Sequence, residues 1–299
     1  HAIFSDTQAE PGSVMKPFVA SLAIETGRVT PQTPIQTAPG SINITGSTIK
    51  DAHPHGVLTV QEVIQKSSNV GTVKMAMQMA PREMWELFSQ VGFGQKPQLE
   101  FPGTVTGRLR PFKTWRPIEQ ATMSYGYGLS TSLFQLAQAY TLFARDGEMV
   151  PVSLLKRQEK VAGVRVMSAE HAMQVRNMLH MVTGPGGTAP KAQTMGYSVG
   201  GKTGTADKSI HGHYDGKHVF TTFMAIAPAD NPKYLFMTIL DEPQAVQGTF
   251  GYQTAGWNAA PVTGAVIERV APFLDLPKRF EPPVSPFPTM VKLGAWGTK

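Results

Sequence analysis

Lys202-Thr203-Gly204-Thr205 is the only Lys-Thr-Gly or Lys-Ser-Gly in the 299 residues, and its company limits what the chain can be. It follows Gly200-Gly201 and precedes Ala206 within an extended pattern, so it reads as a strand along whose backbone a substrate can lie close at Gly204. Upstream, in order, stand Ser13-Val14-Met15-Lys16 and Ser67-Ser68-Asn69. Together the three segments point to acyl transfer through a serine oxygen.

Ser-x-x-Lys by itself is weak evidence, because Ser47-Lys50 and Ser153-Lys156 match it too. The chemistry needs serine and lysine one turn apart on a helix, so that the amine reaches the hydroxyl. Ser13 follows Pro11-Gly12 and opens a helical repeat of Val14, Phe18, Val19, Leu22 and Ala23 that runs to Gly27. By contrast, Ser47 lies in Gly/Thr-rich sequence read as loop, and Ser153 just follows Pro151. Ser-x-Asn is also duplicated: Ser41-Ile42-Asn43 falls in the same loop region, whereas Ser67 to Asn69 sits at a break between two helical patterns, where side chains can be aimed into a cleft.

The chain has no cysteine, so a nucleophile must be an oxygen or a lysine, and disulfides and thiolate-held metals are excluded. Its formal charge is +6, but the 27 Lys and Arg never run longer than two and are not interleaved with aromatics. That dispersion fits a basic surface facing an anionic envelope, with no nucleic-acid partner. No stretch approaches the roughly 20 apolar residues that cross a bilayer, and no signal peptide opens the chain, so a membrane anchor is expected only upstream of His1. His211-x-His213 with His218, and Asp51-x-His53-x-His55, read as solvated loop residues, so no metal and no cofactor are expected. Thr183-Gly184-Pro185-Gly186-Gly187-Thr188 lacks the ending of a phosphate-binding loop and reads as a tight turn before the strand.

Apolar spacing further predicts helices from Thr59 to Ser67, Val70 to Ala80, Arg82 to Val91, Leu133 to Ala144, from an N-cap at Ser168 with Ala172, Val175, Leu179 and Val182 buried, and from Gly256 to Leu274. Strands are predicted at Tyr197 to Ala206, Val219 to Ala227 and Tyr234 to Asp241, the last two forming a hairpin across Asp230-Asn231-Pro232. Residues 28 to 57 read as loop with short extended pieces. Pro97 to Pro117 shows no period and is long enough to be a functional loop.

The segments Glu10-Pro11-Gly12-Ser13, Gln65 to Thr72 (QKSSNVGT), Trp115 to Gly128 (WRPIEQATMSYGYG) and Gly201 to Ala206 make the chain resemble the class B penicillin-binding proteins. Within that family they are most similar to the penicillin-binding protein 3 group, called penicillin-binding protein 2 in some genera, the septal peptidoglycan D,D-transpeptidases of Gram-negative bacteria. The resemblance runs in order from about residue 5 to 274. It implies an α+β fold, the penicillin-binding protein transpeptidase or serine β-lactamase-like fold, with an antiparallel sheet flanked by helices. Family members carry two strands and a helix before the nucleophile, and a pedestal domain and membrane anchor further upstream. With 12 residues before Ser13, an N-terminally incomplete transpeptidase domain over 1–276 is expected, holding three of five strands, with a Pro-rich extended tail over 277–299.

The resemblance also implies roles. Ser13 would attack the penultimate D-alanine carbonyl of a donor stem peptide ending in D-Ala-D-Ala, with Lys16 as general base and Ser67 relaying a proton to the departing D-alanine. Asn69 would hold the substrate backbone, Lys202 would support the electrostatics, and Thr203 and Thr205 would bind the terminal carboxylate along the strand at Gly204. The N–H groups of Ser13 and Thr205 would form the oxyanion hole. An acceptor amine, diaminopimelate by resemblance, would resolve the acyl-enzyme, and β-lactam antibiotics would acylate the same serine. Divisome proteins including a septal glycosyltransferase, at the periplasmic face of the inner membrane, are the implied partners and place. The family's Tyr-Tyr-Gly-Gly turn is replaced by Thr249-Phe250-Gly251-Tyr252, which puts Phe250 and Tyr252 in the expected cleft wall. The competing readings are a β-lactamase or D,D-carboxypeptidase, for which Glu119 is the nearest candidate water-activating carboxylate, and a non-enzymatic β-lactam sensor domain.

Overall fold

The computed structural model describes residues 9–210 and 213–280. A 3-10 turn, Gly12–Met15, runs directly into α1 (Lys16–Glu25), placing Ser13 at the mouth of a helix whose faces are buried nearly all round. The region expected as loop with extended pieces holds four short strands, β1 (Pro34–Gln36), β2 (Ser41–Ile44), β3 (Ser47–Lys50) and β4 (Val57–Thr59). Two of the duplicate motifs, Ser41 to Asn43 and Ser47 to Lys50, lie there on one hairpin, with Ser41 the register partner of Lys50 and Ile42 opposite Ile49. They are strand residues, not loop residues, because alternate isoleucines have a partner to pack against.

A capping box opens α2 (Val60–Lys66): Thr59 Oγ1 accepts from the Glu62 amide, and the Glu62 carboxylate accepts from the Thr59 amide. Val60, Val63 and Ile64 face inward as expected. Next come α3 (Asn69–Ala76), which starts one residue before its apolar pattern and ends four before it does, and α4 (Pro81–Gln90). The segment from Pro97 to Arg116 is irregular apart from an isolated bridge of Arg108 with Ser130 and a 3-10 turn at Phe112–Thr114. Its start is tied down by the buried Gln135 carboxamide, which donates to the carbonyls of Gln95 and Thr106. After it come α5 (Pro117–Ser124), α6 (Leu133–Ala144), a two-residue ladder of β5 (Glu148–Met149) with β6 (Val164–Arg165), and α7 (Ala169–Thr183), N-capped by Ser168.

The sheet has the order β7-β8-β9, antiparallel throughout, from β7 (Gly200–Ile210), β8 (His213–Ala227) and β9 (Tyr234–Asp241). β7 starts three residues later and ends four later than its apolar pattern, because β8 supplies ladder partners out to His213 opposite Ile210. α8 (Ala259–Val270) packs on β8 and β9, and α7 packs on β7. Residues 254–258 are turns, so the predicted helix from Gly256 starts late, where the Asn258 side chain accepts from the Ala259 amide. Of the expected 277–299 tail, residues 281–299 lie outside the described residues.

One aromatic cluster holds the Ser13 turn in place. Phe18 on α1 meets Phe93 and Tyr140 edge-on at 5.6 and 5.4 Å, and the Tyr140 hydroxyl donates a 2.6 Å bond to the Val14 carbonyl. From the other side, the Gly12 amide donates to the Gly126 carbonyl, and the Gly128 amide donates to Glu10. A methyl group on Gly126 (φ +92°) would come within 2.0 Å of the Gly12 carbonyl oxygen, whereas one on Gly27 (φ +72°) would meet nothing within 4 Å. Both Gly→Ala changes pay the left-handed backbone penalty of ~1–2 kcal/mol. In denaturant melts Gly27→Ala should lose only that, and Gly126→Ala about 3 kcal/mol or more, since it must also move the Ser13 turn. Equal losses would mean that this contact does not hold the turn.

Candidate active site

Ser67 ends α2 in a left-handed conformation (φ +58°) that a non-glycine residue adopts only at some cost, and this sharp corner turns its hydroxyl and carbonyl inward. Ser68 then caps α3, its hydroxyl accepting from the Gly71 amide and donating to Asp51 at 2.7 Å. The second Asp51 oxygen accepts from the Val70 amide, so one carboxylate clamps the corner. Asn69 is anchored by a 2.8 Å bond from its amide nitrogen to the Lys50 carbonyl.

Two lysines from distant parts of the chain converge on that corner. The Lys16 amine donates to the Ser67 carbonyl at 2.6 Å and to the Ser67 hydroxyl at 3.0 Å. The Lys202 amine donates to the same hydroxyl at 2.9 Å and to the Thr203 carbonyl at 3.0 Å. Lys16 is 1% exposed and Lys202 0%. Burial pushes the Lys16 amine well below the ordinary lysine value of 10.5, the Lys202 amine pushes the same way, and Asp51 only opposes. Burial likewise brings Lys202 down to about 7. A neutral Lys16 has two N–H groups, and Ser67 takes both, which leaves the nitrogen lone pair outside these two bonds.

Strand alternation divides the work of β7. Lys202 and Gly204 point beneath the cleft, and Thr203 and Thr205 line it. A methyl group on Gly204 would lie 2.9 Å from the Pro11 carbonyl oxygen and 3.0 Å from Val14. The absent side chain therefore admits the Ser13 turn, not a substrate backbone, which corrects the expectation for Gly204. The Thr203 hydroxyl shares a 2.8 Å hydrogen bond with that of Thr188, and the Thr205 hydroxyl accepts from the Ala255 amide at 3.1 Å.

The cleft thus formed has a volume of about 460 Å³ and is lined by Ser13, Lys16, Ser67, Asn69, Thr203 and Thr205. Each of the three motifs contributes to it, Lys202 reaching the Ser67 hydroxyl from below. Several lining residues were not expected. His53 and His55, read as solvated, stand at the rim, as does Lys66 beside Ser67. Gly186, Gly187 and Thr188 form one bank, so the glycine-rich turn has a place in the site. Trp257 lines the other end.

Phe250 and Tyr252 do not line the cleft, which corrects the expected wall. They are 75% and 53% exposed and pack on the outer side of Trp257, Tyr252 stacked at 5.0 Å and Phe250 edge-on at 5.5 Å. The turns at 254–258 interpose Trp257 between them and the cleft. The loop from Pro97 to Pro117 contributes no lining residue either. Glu119 is absent from the lining as well: the Arg116 amide and the Arg110 guanidinium hold its carboxyl down to about 2. Among the described residues no carboxylate lines the cleft and no three His, Asp or Glu side chains are grouped to hold a metal; His211 lies outside them.

Comparison with known proteins identifies the domain. Residues 2–268 match the model of the penicillin binding protein transpeptidase domain. The chain is 44% identical over 248 residues to a probable peptidoglycan D,D-transpeptidase PenA of Neisseria flavescens, covering 83% of this chain and 61% of that one. It is 36% identical over 259 residues to peptidoglycan D,D-transpeptidase FtsI of Escherichia coli K12, covering 86% and 43%. The chain thus spans about half the length of these curated relatives. The apo structure of the TP domain of Burkholderia pseudomallei penicillin-binding protein 3 superposes with a TM-score of 0.86 at 47% identity, covering 92% of this chain and 82% of that one. With the family match running through almost all of the described residues, the chain belongs to the penicillin-binding protein transpeptidase domain family and is of the class B type.

Proposed function

We propose that this chain is the acyl-transfer domain, over residues 1–276, of a peptidoglycan D,D-transpeptidase that cross-links stem peptides during septal wall synthesis. The observation that carries the reading is the meeting of two fully buried amines on the Ser67 hydroxyl at the floor of the cleft that holds Ser13.

In the acylation step the Ser13 oxygen attacks the carbonyl carbon of the penultimate D-alanine and its proton passes to the Lys16 nitrogen. The oxyanion is stabilised by the Ser13 and Thr205 amides, a type of contact worth about 10²- to 10³-fold per donor. Collapse breaks the C–N bond, and the proton travels from Lys16 through Ser67 to the departing D-alanine amine. Both lysines touch Ser67, so this relay needs no movement of the framework. Asn69 holds the peptide backbone, and Thr203 and Thr205 hold the terminal carboxylate beside the charge of Lys202. An acceptor amine, taken as that of diaminopimelate, then attacks the Ser13 ester, forms the cross-link and returns the proton to the serine. β-Lactams enter at the first step and stay attached.

A β-lactamase or carboxypeptidase needs a base to activate water against the ester. The cleft lining holds no carboxylate and Glu119 is locked in its ion pairs, which favours a long-lived acyl-enzyme. By resemblance the protein works at the periplasmic face of the inner membrane, at the septum, beside divisome proteins including a septal glycosyltransferase. No helix among the described residues is long and apolar enough to cross a membrane.

Incubated with fluorescent penicillin, the protein should form an adduct stable for many minutes that maps by mass spectrometry to the peptide bearing Ser13. Ser13→Ala should remove the label while leaving the melting temperature within about 2 °C. Rapid turnover of the penicillin would instead favour the lactamase, and labelling that survives in the alanine variant would move the nucleophile elsewhere.

The pH dependence follows from the buried amines. A base is lost when it is protonated, so the second-order acylation rate should fall about tenfold per pH unit below the apparent pKa of the lysine pair. Above it the rate should level off, well short of the 10.5 of an ordinary lysine. A rate still climbing tenfold between pH 9 and 10 would show that Lys16 is charged in the resting site.

A further inference from the structure

We propose that Thr188 is a positioning residue for the anionic end of the substrate, setting the direction in which the Thr203 hydroxyl donates its proton. The inference rests on the acylation reading above and explains what the glycine-rich segment before β7 is for.

The segment from Thr183 to Thr188 is pinned on both banks of the cleft. On the Ser67 side, the Gln65 carboxamide donates to the Pro185 carbonyl at 3.1 Å and the Lys66 amine to the Gly186 carbonyl at 3.4 Å. The last two residues of α2 before the catalytic corner therefore both hold this turn. At its far end the Ala189 amide returns to the Val182 carbonyl, and a methyl group on Gly187 would lie 2.0 Å from that same oxygen. The turn is as tight as it can be made, and it ends by delivering Thr188 to Thr203 on β7, hydroxyl to hydroxyl at 2.8 Å.

Counting protons shows what that contact decides. A hydroxyl has one proton to give and two lone pairs to receive with. The Thr205 oxygen already receives the Ala255 amide, so its single proton is left for a ligand in the cleft. Thr203 could give its proton either to Thr188 or to the ligand. Thr188 is only part-buried and its hydroxyl has no other partner among the described residues, so it is free to donate to Thr203. The Thr203 proton is then released into the cleft. When a carboxylate arrives, Thr188 to Thr203 to carboxylate becomes a chain in which each donor is polarised by the next. Two parallel hydroxyl donors, at Thr203 and Thr205, then face the anion from one edge of β7.

The test uses benzylpenicillin and its methyl ester as paired probes, since only the free acid presents a carboxylate. Thr188→Val keeps the shape and removes the hydroxyl, and it should slow acylation by the acid about tenfold. Its rate with the ester should stay within about twofold of the parent protein, and Thr188→Ser should recover most of the rate on the acid. Should valine disturb the fold, as read by circular dichroism, Thr188→Ala compared with Thr188→Ser on the same two probes decides in the same way. Acylation of Thr188→Val at the parent rate, or equal slowing on acid and ester, would overturn the proposal. No adduct on the parent protein with either probe would instead remove the acylation reading beneath it.

Discussion

Two buried lysine amines share one serine hydroxyl at the floor of the cleft, and no carboxylate sits among the groups they bond. Burying two ammonium groups with no carboxylate bonded to either is unfavourable, so the interior disfavours the charged form of both amines. The neutral form is a base and not merely a charge. The rest of the architecture can be understood as what is needed to hold the two amines there. Lys16 must come from the first turn of α1, Lys202 from the buried face of β7, and Ser67 from a left-handed corner between α2 and α3.

These three elements are kept in register by contacts with no chemistry of their own. Tyr140 fixes the Val14 carbonyl, Gly126 and Gly204 let the Ser13 turn press against its neighbours, and Asp51 clamps the corner after Ser67. A strained residue at Ser67 and two buried amines are costs to folding. They are offset by the aromatic cluster around Phe18 and the long β7–β8 ladder, in which stability and site geometry rest on the same side chains.

The cleft separates what it handles by charge and by hydroxyl. Its floor is cationic or neutral amine, its β7 edge is a row of threonine hydroxyls, and its lining has no acid. Such a surface offers hydroxyl donors for an anionic group at the β7 edge and, among the described residues, no carboxylate to activate water. Trp257 closes one end, backed by Tyr252 and Phe250.

The motifs were legible in the chain because chemistry constrains residue type and local spacing. Ser13 and Lys16 need one helical turn between them, Ser67 to Asn69 break one helix and cap the next, and β7 places lysine and threonine on opposite faces; each is a short-range property that periodicity records. The helices from Ser168 and Leu133 and the β8–β9 hairpin were readable for the same reason. Long-range geometry left no such mark. That Gly204 makes room for Pro11 and Val14, that Trp257 displaces Phe250 and Tyr252 from the cleft, and that His53, Lys66 and Thr188 stand at its edge depend on which loops meet after the chain has folded. The amino-acid order by itself determined the reacting groups and their local presentation. Only the tertiary structure, by burying Lys16 and Lys202 together, lowered the proton affinity of both amines, because desolvation is a property of the surroundings and not of the residue.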